Sequence, residues 1–183
     1  MYLATYLDDY SKLCVVKPSK RKSEVPAVTK EVKFLEKQSG NDLMKLRSDN
    51  GTEYISKELQ EYLASKGVQH QTTTRYTPEQ NGAAERLNRT LMERVCAMLS
   101  DSCLSKQLWA EATCTACFIR NRSPVSGRDK TAWELFFGKK PDVSDMHIFG
   151  TPAYALIPKE LRRKLDVHSE LGHFVGYPAT TKG

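Results

Sequence analysis

The succession of apolar and polar positions along this chain predicts a mixed α/β domain. The stretch "YLATYLDDYSKLCVVKP" holds two β-rich runs, residues 2–7 and 13–17, joined by the polar "DDYSK", which is the pattern of a hairpin. In residues 23–38, Val25, Val28, Val32 and Leu35 fall along one helical face, with Ser23 as the cap. "DLMKLRS" predicts a short strand that ends at Asp49. "SKELQEYLASKG" then predicts a helix with Ser56 at its N-cap, Leu59 and Leu63 as its apolar stripe, and Gly67 as its stop. "VQHQTT" reads as a returning strand.

A polar loop, 73–82, leads into a long helical pattern over 83–100, with Leu87, Leu91, Val95 and Met98 as its apolar stripe. Glu85 lies off that stripe and shares a neighbouring face with Asn88, Arg89 and Met92. A second helix is predicted over 105–121 and a short one over 131–137. The remainder reads as short strands separated by turns. Neither an internal repeat nor a low-complexity linker interrupts this order, which is that of an α/β domain with a central sheet.

Composition narrows the class. A chain of 183 residues, 39% hydrophobic and 27% charged, is globular and long enough for one ordinary domain with a small appendage. No apolar run approaches the ~20 residues that span a bilayer. The opening "MYLATYLDDYSK" lacks the charged and apolar regions of a signal, so the expected location is nuclear or cytoplasmic, not secreted and not membrane-anchored. Net charge is +6. Residues 43–104 are neutral, with eight basic and eight acidic side chains, whereas 105–183 carry twelve basic against eight acidic. Such a surface suits a polyanionic partner, although many soluble domains are as basic. Five cysteines, an odd number, predict reduced thiols. Cys114 and Cys117 form a lone CxxC within a predicted helix; with no second ligand pair they read as buried small apolar residues rather than a zinc site. The four histidines do not cluster with them and are assigned no role.

Asp49 and Glu85 are the residues with candidate chemistry. One ends a predicted strand; the other lies early in a helix, after a Gly-containing loop, with 35 residues between them. Hard cations such as Mg²⁺ take oxygen ligands, commonly one or two carboxylates plus water and phosphate. Two such ions about 4 Å apart can activate a nucleophile and stabilise the leaving oxygen of a phosphodiester. The same residues also have a plainer reading. Asp-Asn-Gly is a common turn tripeptide, and a glutamate on a helix surface is ordinary. Spacing leaves both readings open.

The surrounding motifs add a resemblance. "LRSDNGTEY" and then "YTPEQNGAAERLNRTL" resemble the second and third acidic motifs of the retroviral-type integrase core, the DD(35)E family. "LWAEATCTACFIRNRSP", "TAWELFFGKKPDVSDMHIFGTPAY" and "FVGYPATTKG" resemble segments of its copia-type retrotransposon branch. The resemblance runs over nearly the whole chain. It implies an α/β, ribonuclease-H-like mixed sheet flanked by helices, here missing its first strand, with a small C-terminal extension of short strands. The core would occupy 1–125 and the extension 126–183. It implies metal-dependent cleavage of phosphodiesters and strand transfer that joins retroelement DNA to target DNA.

By motif, Asp49 resembles the second acidic residue and Glu85 the third, both holding Mg²⁺ or Mn²⁺. Asn81 and Gly82 belong to the loop before Glu85; Gly82 reads either as a source of backbone freedom or as a plain loop breaker. The family's first catalytic Asp has no counterpart, because "YLATYLDDYSK" matches the family's second strand and leaves Asp8 and Asp9 as turn residues. Weak metal binding and little strand transfer are therefore expected of this chain alone. The alternative is a catalytically inactive, retroelement-derived nucleic-acid-binding or interaction protein. A ribonuclease-H-like nuclease acting on RNA–DNA hybrids fits less well, because it has no need of the late "RNRSP…WELFFGKKPD" segment.

The expected partners are retroelement ends and target DNA, with no membrane and room for a homo-oligomer. Arg75, Tyr76, Asn81, Arg86 and Arg89 are the expected nucleic-acid contacts near the two acids. Further basic sets are Arg120, Arg122, Arg128, Lys130, Lys139 and Lys140, and then Arg162, Arg163 and Lys164. Each alone reads equally as a solvated charge, but together they suit phosphate. Trp109 and Trp133, among apolar neighbours, read as packing residues.

Overall fold

Tyr2, Thr5, Tyr6, Val15 and Val16 favour extended backbone in the first two runs, which pair as an antiparallel hairpin. β1 (Tyr2–Leu7) lies against β2 (Cys14–Ser19), with Tyr2 opposite Ser19 and Leu7 opposite Cys14. The computed structural model describes residues 2–19, 39–40, 42–49, 51, 54–73 and 81–178; the helix expected over 23–38 lies outside them. The connecting turn is built by Asp8. Its Oδ2 accepts the Ser11 amide at 2.7 Å and the Ser11 hydroxyl at 2.6 Å, while its own amide donates to the Leu13 carbonyl at 2.9 Å. Lys12 occupies the left-handed region at φ 62°. Its ammonium bonds Asp9 at 2.7 Å, and that hydrogen bond and charge hold the Asp9 carboxyl below its ordinary pKa. Both aspartates shape the turn.

β3 (Lys45–Ser48) runs parallel to β4 (Gln69–Thr72), with Leu46 opposite His70 and Ser48 opposite Thr72. A parallel pair needs a crossover, and α1 (Lys57–Ser65) supplies it. Ser56 stands at its N-cap with extended backbone but without a side-chain capping bond. The helix stops at Gly67, whose φ of 67° suits a residue without a Cβ, and Val68 then donates to the Leu63 carbonyl at 3.0 Å. Leu59 and Leu63 bury the predicted stripe against Val68, with Leu43, Leu46, Tyr54 and Tyr62 around them. Tyr54 also packs on Ala4 of β1, so one ring touches both the hairpin and the crossover unit. Among the described residues β1–β2 and β3–β4 are two separate two-stranded sheets, the first antiparallel and the second parallel.

The later helices follow the predicted ranges: α2 (Gly82–Asp101), α3 (Trp109–Arg122, after a 3-10 turn at Lys106–Leu108) and α4 (Ala132–Phe137). Leu87, Leu91 and Val95 are buried along α2. Thr131 caps α4 by accepting the Glu134 amide at 3.0 Å, and Gly138 ends it. By chain contacts the molecule divides into two compact units, Met1–Thr90 with Arg120–Pro141, and Leu91–Ile119 with Asp142–Gly183.

Within the first unit, the end of α3 fastens the hairpin. The buried Asn121 amide accepts from the Cys14 N–H at 2.9 Å and donates to the Cys14 carbonyl at 2.7 Å. It thus supplies the donor and the acceptor that a neighbouring strand would supply. Arg120 donates to the Lys12 carbonyl at 2.6 Å, and Arg128 donates to the Tyr10 carbonyl at 2.9 Å with its guanidinium over the Tyr10 ring. Arg122 lies 4.4 Å over the ring of the half-buried Trp133, which packs on Phe137.

Within the second unit, α3 is buried nearly all round through Ala110, Ala112, Thr113, Thr115, Ala116 and Cys117. Thr113 and Thr115 satisfy their hydroxyls on the carbonyls of Trp109 and Glu111, at 2.7 and 2.9 Å. Of the two cysteines expected to be buried, Cys117 is and Cys114 is not. Cys114 falls three residues after the exposed Glu111, on the one narrow strip of this helix that faces solvent. β5 (Pro152–Leu156) and β6 (Ser169–His173) pair antiparallel as the short strands of the extension. Gly150, at φ 85°, sits against Ser102, where a Cβ would collide.

Replacing Asn121 with alanine strands two buried backbone groups at Cys14. Denaturant unfolding of Asn121→Ala is expected to show a loss of roughly 2–6 kcal/mol, given about 1–3 kcal/mol for each buried group left unsatisfied. A loss below ~1 kcal/mol would contradict the clamp.

Candidate metal and nucleic-acid site

Asp49 follows directly on β3. The strand ladder continues one bond further, from the Thr73 amide to the Ser48 carbonyl at 3.0 Å. The chain then turns, with Asp49 Oδ1 accepting the Gly51 amide at 3.1 Å and the Gly51 carbonyl accepting the Tyr54 amide at 2.9 Å. This is an Asx-type turn, held on one side by the strand and on the other by the packed Tyr54 ring. It occupies one carboxylate oxygen. Asp49 is exposed, and among the described residues its Oδ2 has no hydrogen-bond partner.

Behind the turn runs a line of polar groups. Gln60 Nε2 lies 2.7 Å from His70 Nδ1, and His70 Nε2 lies 2.8 Å from Ser48 Oγ, which donates to the Asp49 carbonyl at 3.0 Å. Gln60 Nε2 also reaches the Tyr54 carbonyl, at 3.5 Å. A carbonyl only accepts, so the amide nitrogen faces both partners. His70 Nδ1 is therefore the acceptor and Nε2 carries the proton. Burial holds the His70 pKa below its ordinary value, in keeping with a neutral ring. Sequence reasoning gave His70 no role. The period of two from the buried Val68 was the available signal, since both residues turn toward α1.

Glu85 lies in the first turn of α2, exposed, and its side chain makes no hydrogen bond or ion pair among the described residues. Asn81, half-buried, immediately precedes the helix, and Arg86 and Arg89 are exposed, three apart on α2. Gly82 does not take a positive φ. It opens the helix, and the space left by its missing Cβ brings Arg86 Nη1 to 3.2 Å from where that atom would stand. What Gly82 contributes here is room, not an unusual backbone. Arg75 and Tyr76 lie outside the described residues.

No hydrogen bond or ion pair joins Asp49 to Glu85 among the described residues, nor do these contain a group of three or more His, Cys, Asp or Glu that could hold a metal. Asp49 and Glu85, the two ligands expected from the sequence, each offer carboxylate oxygens, which suit a hard divalent cation better than a soft one. Of the second basic set, Arg120, Arg122 and Arg128 are taken up by the hairpin and Trp133. Lys130, Lys139 and Lys140 are exposed, as are Arg163 and Lys164.

The architecture is that of integrase catalytic cores. The chain superposes on a simian T-cell lymphotropic virus intasome in complex with the PP2A regulatory subunit B56 gamma, with TM-score 0.63 and 21% identity, covering 92% of this chain and 61% of that one. It superposes on the HTLV-2 integrase catalytic core domain in complex with magnesium, with TM-score 0.58 and 21% identity, covering 73% of this chain and 83% of that one. The fold is thus ribonuclease-H-like. Residues 1–78 match the Integrase core domain family and residues 151–183 the Retroviral polymerase SH3-like domain family.

The retrovirus-related Pol polyprotein from transposon TNT 1-94 of Nicotiana tabacum is 42% identical over 178 residues, and that from transposon RE1 of Arabidopsis thaliana 29% identical over 181. These alignments cover 96% and 98% of this chain. The chain belongs to the integrase-core family of copia-type retrotransposon Pol polyproteins. It spans 13% and 12% of the length of those two relatives. Among the described residues no helix is long and apolar enough to cross a membrane.

A half-buried, neutral His70 makes stability depend on pH with a definite sign. The unfolded chain, with its imidazole near ~6.5, binds the proton more readily than the folded one. Stability is then complete above that value and falls as pH drops toward the lower folded pKa. Urea unfolding at pH 7.5 and 5.5 is expected to show a smaller acid-side loss in His70→Gln than in the native chain. Equal losses would contradict the assignment.

Proposed function

We propose that this chain is the integrase core segment of a retrotransposon Pol polyprotein and serves DNA integration, the cutting and joining of phosphodiesters between retroelement ends and target DNA. The observation that carries the reading is the Asp49 turn. A strand end inside the segment matched by the integrase core family presents a carboxylate with one oxygen tied down and the other open. In this reading Asp49 and Glu85 are the carboxylates that hold Mg²⁺ or Mn²⁺. When bound, the ions would activate the attacking oxygen and stabilise the leaving one.

The chain's own contribution is placement and charge. The β3 end and the Tyr54 anchor fix Asp49, and the first turn of α2 fixes Glu85. Arg86 and Arg89, with Arg75, Tyr76 and Asn81, contact DNA near these acids; the arginines neutralise phosphates and set the register of the duplex without reading sequence. The core function belongs to residues 1–125, and 126–183 form an accessory extension. The magnesium-bound and oligomeric states named for the HTLV-2 cores support divalent metal use and self-association here. The work falls in the nucleus or cytoplasm, where the DNA substrates are met.

The test is duplex DNA affinity with and without Mn²⁺. Mn²⁺ is expected to raise the affinity of the native chain, and that increment is expected to vanish in both Asp49→Asn and Glu85→Gln. DNA binding indifferent to Mn²⁺, or an increment that survives both substitutions, would contradict the reading.

A further inference from the structure

The geometry points to His70 as a positioning residue for the Asp49 turn, acting through Ser48. This inference deepens the proposed metal role of Asp49 and, in its consequence for metal affinity, rests on it. The three bonds run in one direction: the Gln60 amide donates to His70 Nδ1 at 2.7 Å, His70 Nε2–H donates to Ser48 Oγ at 2.8 Å, and Ser48 Oγ–H donates to the Asp49 carbonyl at 3.0 Å.

Each group in such a chain is polarised by the one before it, and each has one orientation left once its neighbour is set. The Tyr54 carbonyl fixes the Gln60 amide, and the amide fixes the imidazole tautomer. The imidazole fills the acceptor side of the Ser48 hydroxyl, whose proton then has one carbonyl to meet. The last bond falls on the peptide that follows Asp49, which is the first peptide of the turn. The orientation of that peptide sets where the Gly51 amide meets Asp49 Oδ1 at 3.1 Å, and so where Oδ2 points.

The alignment also explains the placement of Ser48. It is 6% exposed, at the C-terminal end of a strand, where a buried hydroxyl with no partner would be costly. Both of its hydrogen-bonding functions are used. An outer group that orients a carboxylate in this way commonly changes metal affinity by about ten- to a hundred-fold when removed.

The test uses the full chain, labelled with ¹⁵N. The His70 ring is expected to show a protonated Nε2 and an unprotonated Nδ1. The Gly51 amide is expected to be protected from exchange in the native chain and in Ser48→Thr, which keeps the hydroxyl, and to lose that protection in Ser48→Ala and His70→Phe. Mn²⁺ affinity, read from water relaxation, is expected to fall on the order of ten-fold in Ser48→Ala and His70→Phe and to be restored in Ser48→Thr.

A ring protonated at Nδ1, or a Gly51 amide equally protected in all four proteins, would overturn the positioning role. Should Asp49→Asn bind Mn²⁺ as the native chain does, the metal reading fails while the tautomer and amide results still decide the relay.

Discussion

The free side of β2 at Cys14 would expose a buried N–H and C=O to nothing, were it not for the Asn121 side chain, which reaches it from the end of α3. A primary amide matches the donor and acceptor spacing of a peptide, so this one residue closes the edge without another strand. Arg120 and Arg128 extend the same grip to the carbonyls of Lys12 and Tyr10 in the hairpin turn. With the hairpin fixed, Ala4 presents a surface for Tyr54, and Tyr54 in turn packs on the Leu59, Leu63 and Val68 cluster. The loop that carries Asp49 therefore hangs between a strand and a half-buried ring that packs against both the hairpin and the crossover unit.

That arrangement explains how a turn tripeptide and a candidate ligand can be one feature. An Asx turn needs a single carboxylate oxygen, and the second is left toward solvent. Because Asp49 and Glu85 are both exposed, neither bears a large desolvation cost while no cation is present. The site can thus be kept in the folded chain without opposite charges to neutralise it. Rigidity comes from hydrogen bonds behind the carboxylate: from Ser48 and His70 on β3 and β4, and from Gln60 on α1.

Much of the fold was legible because local pattern determined it. The β-rich runs "YLATYL" and "CVVKP", the Leu59 and Leu63 stripe, the stop at Gly67 and the Leu87, Leu91 and Val95 stripe all appear where local pattern put them. Asp49 and Glu85 fell at a strand end and in a helix first turn for the same reason. What escaped was long-range. Asn121 and Cys14 are 107 residues apart, and Arg120 and Lys12 are 108 apart, so nothing local distinguishes these side chains from solvated ones. Arg120 and Arg128, read from the sequence as phosphate contacts, bond carbonyls of the hairpin turn. His70 meets Ser48 only because β3 and β4 pair in one particular register, and a shift of one residue would turn its ring to the other face. Cys114 was misplaced because a helix buried nearly all round leaves only a thin exposed strip, which composition does not locate.

The family assignment makes the convergence of two acids on one cation the central claim. Crystals of the chain soaked in Mn²⁺ and measured for anomalous scattering address it directly. The account predicts a peak within ligand distance of both Asp49 Oδ2 and a Glu85 carboxylate oxygen. A peak held by one of them with the other turned away, or none at either, would contradict it.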